Sequence, residues 1–188
     1  MANVAIVFHS GYGHTAKQAE AVRAGAASVA GVTATLYPVN DLTDTHWAEL
    51  NAADAIIFGA PTYMGGAAAD FKKFADATSK AWYSQSWKNK IAGGFTNSAS
   101  LNGDKYATLM SFVTLAMQHS MIWVGTGLLP ANSSKSERND LNRMGSFIGP
   151  MAQSDSDQGA DVCPPKGDLD TAQFYGQRVA ETTLQMLK

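Results

Sequence analysis

One α/β domain normally fills a chain of this length, 188 residues, so a single domain over residues 1–188 is expected. Hydrophobic residues at 45% against charged residues at 16% describe a compact globule and exclude a disordered tail protein. The 14 basic and 16 acidic residues leave a net charge of −2, which gives no electrostatic reason to expect nucleic acid or an anionic membrane as partner.

The first element is residues 4–8, a continuous apolar run of strand length. Continuity without alternation predicts burial on both faces, as in a parallel sheet. This opening lacks a basic leader with a cleavage site, and no apolar stretch approaches membrane-spanning length, so a cytoplasmic location is expected. A glycine-containing loop leads to a helix from Thr15, with Ala16, Ala19, Val22 and Ala26 spaced to line one face and Gly31 placed to end it. Residues 32–37 read as a second strand closed by Pro38, and residues 46–50 as a short helix. Residues 55–59 form the third strand, residues 60–66 a loop, and a helix resumes over 67–78.

Residues 90–96 form a weaker strand, 104–118 a helix rich in Leu and Met, 121–125 a fifth strand, and 171–187 a closing amphipathic helix. The segment 126–170 is too long for a bare loop and is expected to carry structure or a contact surface of its own, with 145–149 a candidate short strand at the sheet edge. Within it, residues 154–157 are polar enough to be exposed. The lone Cys163, followed by Pro164 and Pro165, cannot form an internal disulfide and reads as an ordinary thiol. The four histidines are scattered, and no metal site is expected. Strands alternating with helices imply right-handed crossovers and a doubly wound five-stranded parallel sheet of order 2-1-3-4-5, with an insertion before the last helix. Its ligand crevice lies beyond the carboxyl ends of the strands.

Three loops therefore converge on one edge of the sheet. The first, Ser10-Gly11-Tyr12-Gly13-His14-Thr15, has two glycines and terminal hydroxyls and runs straight into a helix N-terminus, where free amides and the macrodipole favour an anion. It contains no lysine, is too short for the nucleotide-triphosphate pattern, and has Ala16 where the dinucleotide pattern needs a third glycine. A phosphate held by amides and hydroxyls is one reading; a tight turn capped by Thr15 is the other. The second loop, Pro61-Thr62-Tyr63-Met64-Gly65-Gly66, offers polarizable side chains and glycines at which a flat ring can meet backbone. The third, residues 96–103, is crowded with small polar groups suited to the polar edge of a heterocycle, or else to a solvated turn.

The Ser10 to Thr15 loop, together with Gly59-Ala60-Pro61-Thr62-Tyr63-Met64-Gly65 and Gln118-His119-Ser120-Met121-Ile122-Trp123-Val124-Gly125, resembles the WrbA-type branch of the flavodoxin-like superfamily, the FMN-dependent NAD(P)H:quinone oxidoreductases. The resemblance extends over nearly the whole chain. It implies a flavodoxin-like α/β fold, non-covalent FMN, NADH or NADPH as co-substrate, a quinone acceptor, and a homo-oligomer, tetramer or dimer. By that resemblance Ser10, Gly11, Tyr12, Gly13, His14 and Thr15 hold the FMN phosphate and ribityl end, while Pro61, Thr62, Tyr63, Met64 and Gly65 border the isoalloxazine. Thr96, Asn97, Ser98, Ala99, Asn102 and Gly103 contact its pyrimidine edge, and His119 completes the pocket. Trp82 falls where the family places a tryptophan over the quinone or nicotinamide, and Tyr12 is near the nicotinamide contact.

The sequence departs from the family at Tyr63, where arginine is usual, at Met64, where phenylalanine is frequent, and in the third loop, which lacks a Gly-Thr-Gly-Gly run. These departures leave substrate preference open. For His14, either the ring contacts ligand or only its backbone does; for His119, capping of the preceding helix is the other reading. Trp82, Tyr83 and Trp87 read as an aromatic cluster packed on the domain or on another subunit. No triad or carboxylate pair is present, so the implied chemistry is a ping-pong hydride exchange on FMN without a catalytic protein acid or base. A flavodoxin-type electron carrier and a flavin or azo reductase are the alternatives. The near-neutral charge argues against the carrier, which needs acidity to dock basic partners.

Overall fold

The apolar run near the N-terminus builds β1 (Ala2–Phe8), buried at every position but Asn3, in a computed structural model that describes residues 1–188. It is followed by α1 (His14–Ala27), β2 (Val32–Pro38), α2 (Asp44–Ala52), β3 (Ala55–Tyr63), β4 (Gly66–Ala67), α3 (Ala69–Ala77) and α4 (Ser79–Tyr83). β5 (Ile91–Ser98), α5 (Lys105–Gln118), β6 (Ile122–Trp123), β7 (Met151–Gln153) and α6 (Lys166–Met186) complete the chain. The sheet has the order β2-β1-β3-β5-β6, all parallel, which is the flavodoxin-like order expected for five main strands.

Two layers of helix cover the sheet. On one face α1 and α6 bury Ala19, Val22, Tyr175 and Val179 against Val4, Ile6 and Ile57. On the other, α3 and α5 bring Phe71, Phe74, Leu109 and Phe112 onto Val7, Ile56 and Phe58. Each such fully buried large side chain contributes about 1.5–3 kcal/mol. Tyr175 also ties the layers together: its hydroxyl donates to the Val124 carbonyl at 2.7 Å and accepts from Gly94 N at 3.0 Å. Complete burial raises its pKa well above the ordinary tyrosine range.

The structure differs from the sequence reading at four places. β3 runs on through Pro61 to Tyr63 and folds back on β4 in a two-residue turn at Met64 and Gly65. Pro61 is tolerated there because it removes only a donor; its carbonyl still accepts from Ala68 N at 3.2 Å. The last helix starts at Lys166, directly after Pro165, five residues before the expected start.

The fifth strand is split. β6 pairs with the lower half of β5, and the upper half is taken by β7, so the insertion leaves the sheet edge and returns to it. The returning strand is 151–153 and not 145–149: there Gly145 has positive φ, and the Ser146 hydroxyl turns back onto the Gly149 carbonyl at 2.6 Å, which curls that stretch out of an extended ladder. No helix is long and apolar enough to cross a membrane.

Candidate functional site

Beyond the carboxyl ends of β1, β3, β5 and β7 lies a cavity of about 640 Å³, within the size range of small-molecule and cofactor sites. Of the expected site residues, Ser10, Tyr12, His14, Thr15, Thr62, Tyr63, Met64, Gly65, Asn97, Ser98, Ala99 and Gly103 line it. Gly11 and Gly13 form the backbone between lining residues. Pro61 and Thr96 are buried behind the wall, Thr96 with its hydroxyl donating to the Ala60 carbonyl at 2.7 Å, while Asn102 is exposed and does not line the cavity.

The first loop is built for an anion. Gly13 caps α1 with φ of 88°, left-handed backbone in which a side chain is strained, and no side chain caps the helix. The amides of His14 and Thr15 have no partner within the chain, while Ala16 N donates to Ser10 Oγ at 3.1 Å and leaves that hydroxyl's proton free. Amides, hydroxyls and a helix N-terminus without a cation form a donor set that fits a phosphate. Such a cradle supports FMN and does not match a triphosphate site.

The first and second loops meet at the mouth. Tyr12 and Tyr63 meet edge to face with ring centroids 6.4 Å apart, both well exposed, and Met64 is fully exposed beside them. Burial, with Tyr12 as a lesser cause, raises the pKa of Tyr63. Below them Thr62 Oγ1 donates to Thr108 Oγ1 at 2.8 Å and lies 2.9 Å from Thr96 Oγ1, a buried hydroxyl cluster that fixes the end of β3. The third loop closes tightly: a Cβ at Gly103 would stand 2.4 Å from Ser98 Oγ.

A fourth wall comes from the insertion. Ser154, Ser156, Gln158 and Gly159 line the cavity; of the stretch 154–157 expected to be exposed, residues 155–157 are, and Ser154 is buried. Ser154 is buried because its hydroxyl donates to Asn97 Oδ1 at 3.0 Å and its amide to the Ser98 carbonyl. The signal that would have found them is a short extended run followed by small polar residues, the same pattern as at the other loops. Behind this wall Arg138 grips Asp168 through two bonds of 2.8 and 2.7 Å, and Asp168 also accepts from Gln153 N. The bonds to Asp168 raise the pKa of Arg138. The His14 ring is spent on the Gln158 carbonyl at 2.9 Å, so it joins the first and fourth walls.

His119 and Trp82 do not border this cavity. α5 descends from the crevice, so its C-cap His119 lies at the amino-terminal edge of the sheet, and α4 with Trp82 precedes β5 on that same edge. The length of β5, about 25 Å at ~3.3 Å per residue, separates them from the loops. They line a second cavity of about 340 Å³ with Tyr83, Gln85, Gln118 and Ser120. His119 is buried, with Nε2 on Thr78 Oγ1 at 2.9 Å and its ring 4.4 Å from that of Trp87, and burial lowers its pKa. The aromatic cluster divides: Trp87 is core, its Nε1 donating to Asn51 Oδ1, while Trp82 and Tyr83 are exposed.

The family model for NADPH-dependent FMN reductases matches residues 13–135, about two thirds of the chain. The chain is 46% identical over 189 residues to the flavodoxin FldP of Pseudomonas aeruginosa, with 99% of each chain covered. It is 34% identical over 205 residues to an NAD(P)H dehydrogenase (quinone) of Solidesulfovibrio magneticus, with 98% of each covered. Among solved structures, the WrbA-like flavodoxin of Agrobacterium tumefaciens superposes with a TM-score of 0.79 at 47% identity, over 98% of this chain and 99% of that one. These likenesses place the chain in the NADPH-dependent FMN reductase family, as a WrbA-type member of the flavodoxin-like superfamily.

Proposed function

We propose that this protein is an FMN-dependent oxidoreductase that passes electrons from NADH or NADPH to a quinone. FMN and NAD(P)H come with the family; the quinone acceptor and a ping-pong order are the finer reading, supported by relatives named NAD(P)H dehydrogenase (quinone). The observation that carries it is the uncapped N-terminus of α1 opening into a cavity with exposed aromatic side chains at its mouth. In this reading the amides of His14 and Thr15 with the hydroxyls of Ser10 and Thr15 bind the phosphate. The 97–103 loop hydrogen-bonds the polar edge of the ring, and Tyr12, Tyr63 and Met64 leave one ring face open to a planar partner. FMN, when bound there, would supply the hydride chemistry, the protein its binding and orientation.

Trp82 and His119 enter only through a second copy of the chain, whose amino-terminal sheet edge would face the mouth of the first. The exposure of Trp82 and Tyr83 at 51% and 86% supports such a contact and a homo-oligomer. The electron-carrier reading is favoured by one observation, the 46% identical relative named a flavodoxin.

Purified protein reconstituted with FMN is expected to oxidise NADH or NADPH, to do so faster with benzoquinone, and to give parallel double-reciprocal plots. Flavin that binds but is reduced by nicotinamide no faster than free FMN would sink the enzyme reading in favour of the carrier.

A further inference from the structure

Lys105 opens α5 and is completely buried. Its ammonium donates to Ser98 Oγ at 2.8 Å and to the Ser100 carbonyl at 2.6 Å, and Ser98 Oγ in turn donates to the same carbonyl. Both serines line the cavity. No carboxylate is within ion-pair distance of the ammonium: the five ion pairs of the chain leave it out. The charged groups that face it are Asp168 of α6 and Arg138 of the insertion, and these two are bonded to each other, so the pull of the carboxylate is largely offset.

A buried cation held by dipoles alone is costly unless negative charge is supplied nearby. Here the cavity lies one hydroxyl away, past Ser98. Resting on the FMN reading above, we propose that Lys105 is a positioning residue for the cofactor, holding the 98–103 loop from behind and favouring the reduced state of a flavin that lies against it. The hydride delivered by NAD(P)H carries two electrons and a proton, leaving NAD(P)⁺ and one added negative charge in the cavity. The ammonium, bonded to Ser98 and Ser100 of the cavity lining, is a fixed positive charge behind the wall that meets this change. Desolvation lowers its pKa to about 8, with Asp168 opposing and Arg138 assisting, so the effect is present at neutral pH and fades in mild alkali.

The test is the two-electron midpoint potential and the FMN dissociation constant of the holoprotein as wild type, Lys105→Met and Lys105→Gln, from neutral to alkaline pH. Lys105→Gln keeps an N–H donor for Ser98 and Ser100 without the charge, which guards against loss of the fold. Both variants are expected to favour reduced over oxidised FMN about tenfold less than wild type at neutral pH, a fall of about 30 mV for a two-electron couple. The gap should close at pH above about 8. A Lys105→Gln protein with the wild-type potential at every pH overturns the proposal and leaves the FMN reading intact. A wild-type protein that takes up no FMN overturns both.

Discussion

The Nε2 atom of His14 lies 2.9 Å from the Gln158 carbonyl oxygen, a bond that spans 144 residues of sequence and locks the first loop to the returning arm of the insertion. A carbonyl only accepts, so Nε2 carries the proton and the ring is a strap between two walls of the cavity. Removing it by His14→Ala loses one net hydrogen bond, about 0.5–1.5 kcal/mol, and the FMN dissociation constant should rise about 2- to 12-fold. Limited proteolysis or hydrogen exchange should show the 154–160 arm loosening in step. An arm as protected in the variant as in wild type would mean that the strap has no such role.

The phosphate cradle should discriminate between flavins. Hydrogen bonds to a charged group contribute about 1.5–3 kcal/mol, so Thr15→Ala is expected to weaken FMN by about 10- to 150-fold. Riboflavin, without the phosphate, should change by less than about threefold. Fluorescence titration of the apoprotein with each flavin measures both, and equal losses would show that this loop does not read the phosphate.

The order of strands and the position of the crevice were legible because buried parallel strands are continuous apolar runs and because the Ser10 to Thr15 loop has an anion site's composition. Other parts depend on partners distant in sequence. Ser154 reads as solvated until β7 is known to pair with β5 and bring it onto Asn97. Nothing in the sequence around Lys105 signals its burial, which comes from the curl of the 98–103 loop around its ammonium. His119 stands apart from the cavity of its own chain for a topological reason: its neighbours in sequence resemble a flavin-site motif, but α5 carries it to the far edge of the sheet.

Asp168 is almost completely buried and is held by both Arg138 nitrogens and Gln153 N. Asp168→Asn removes the negative member of the pair; Arg138, being partly exposed, can turn its charge to solvent, so the loss falls below the 3–5 kcal/mol of a fully buried pair, about 2 kcal/mol. For a chain of this size that is a fall in Tm of about 4–8 °C. Calorimetry of the apoprotein checks it. A fall under about 1 °C would mean that the Arg138 clamp adds nothing to the fold.

His119 gives the protein an acid limb. Burial lowers its folded-state pKa below the ordinary 6.5, so between 6.5 and the folded value the unfolded chain binds the extra proton and stability falls as pH falls. His119→Gln, which keeps a group able to bond Thr78 but cannot titrate, should flatten the dependence of Tm on pH below about 6.5. Parallel Tm curves for wild type and variant across that range would assign the limb to another group.

Gly25 sits in the middle of α1, where helix propensity alone makes Gly→Ala stabilising by about 1 kcal/mol. Packing gives the opposite sign. A Cβ at Gly25 would stand 1.8 Å from the Gln173 carbonyl oxygen of α6, and one at Gly176 would stand 1.9 Å from the Val22 carbonyl oxygen of α1, so the two helices touch backbone to backbone at both points. Neither contact is with the free end of a side chain, and relief requires the helices to move apart and open the layer that buries Val22, Ala172 and Val179. Overpacking of this kind costs about 1–3 kcal/mol. Gly25→Ala is therefore expected to lower the denaturation midpoint of the apoprotein with an unchanged m-value. A variant more stable than wild type would mean that the α1–α6 contact yields freely, and that propensity decides the site.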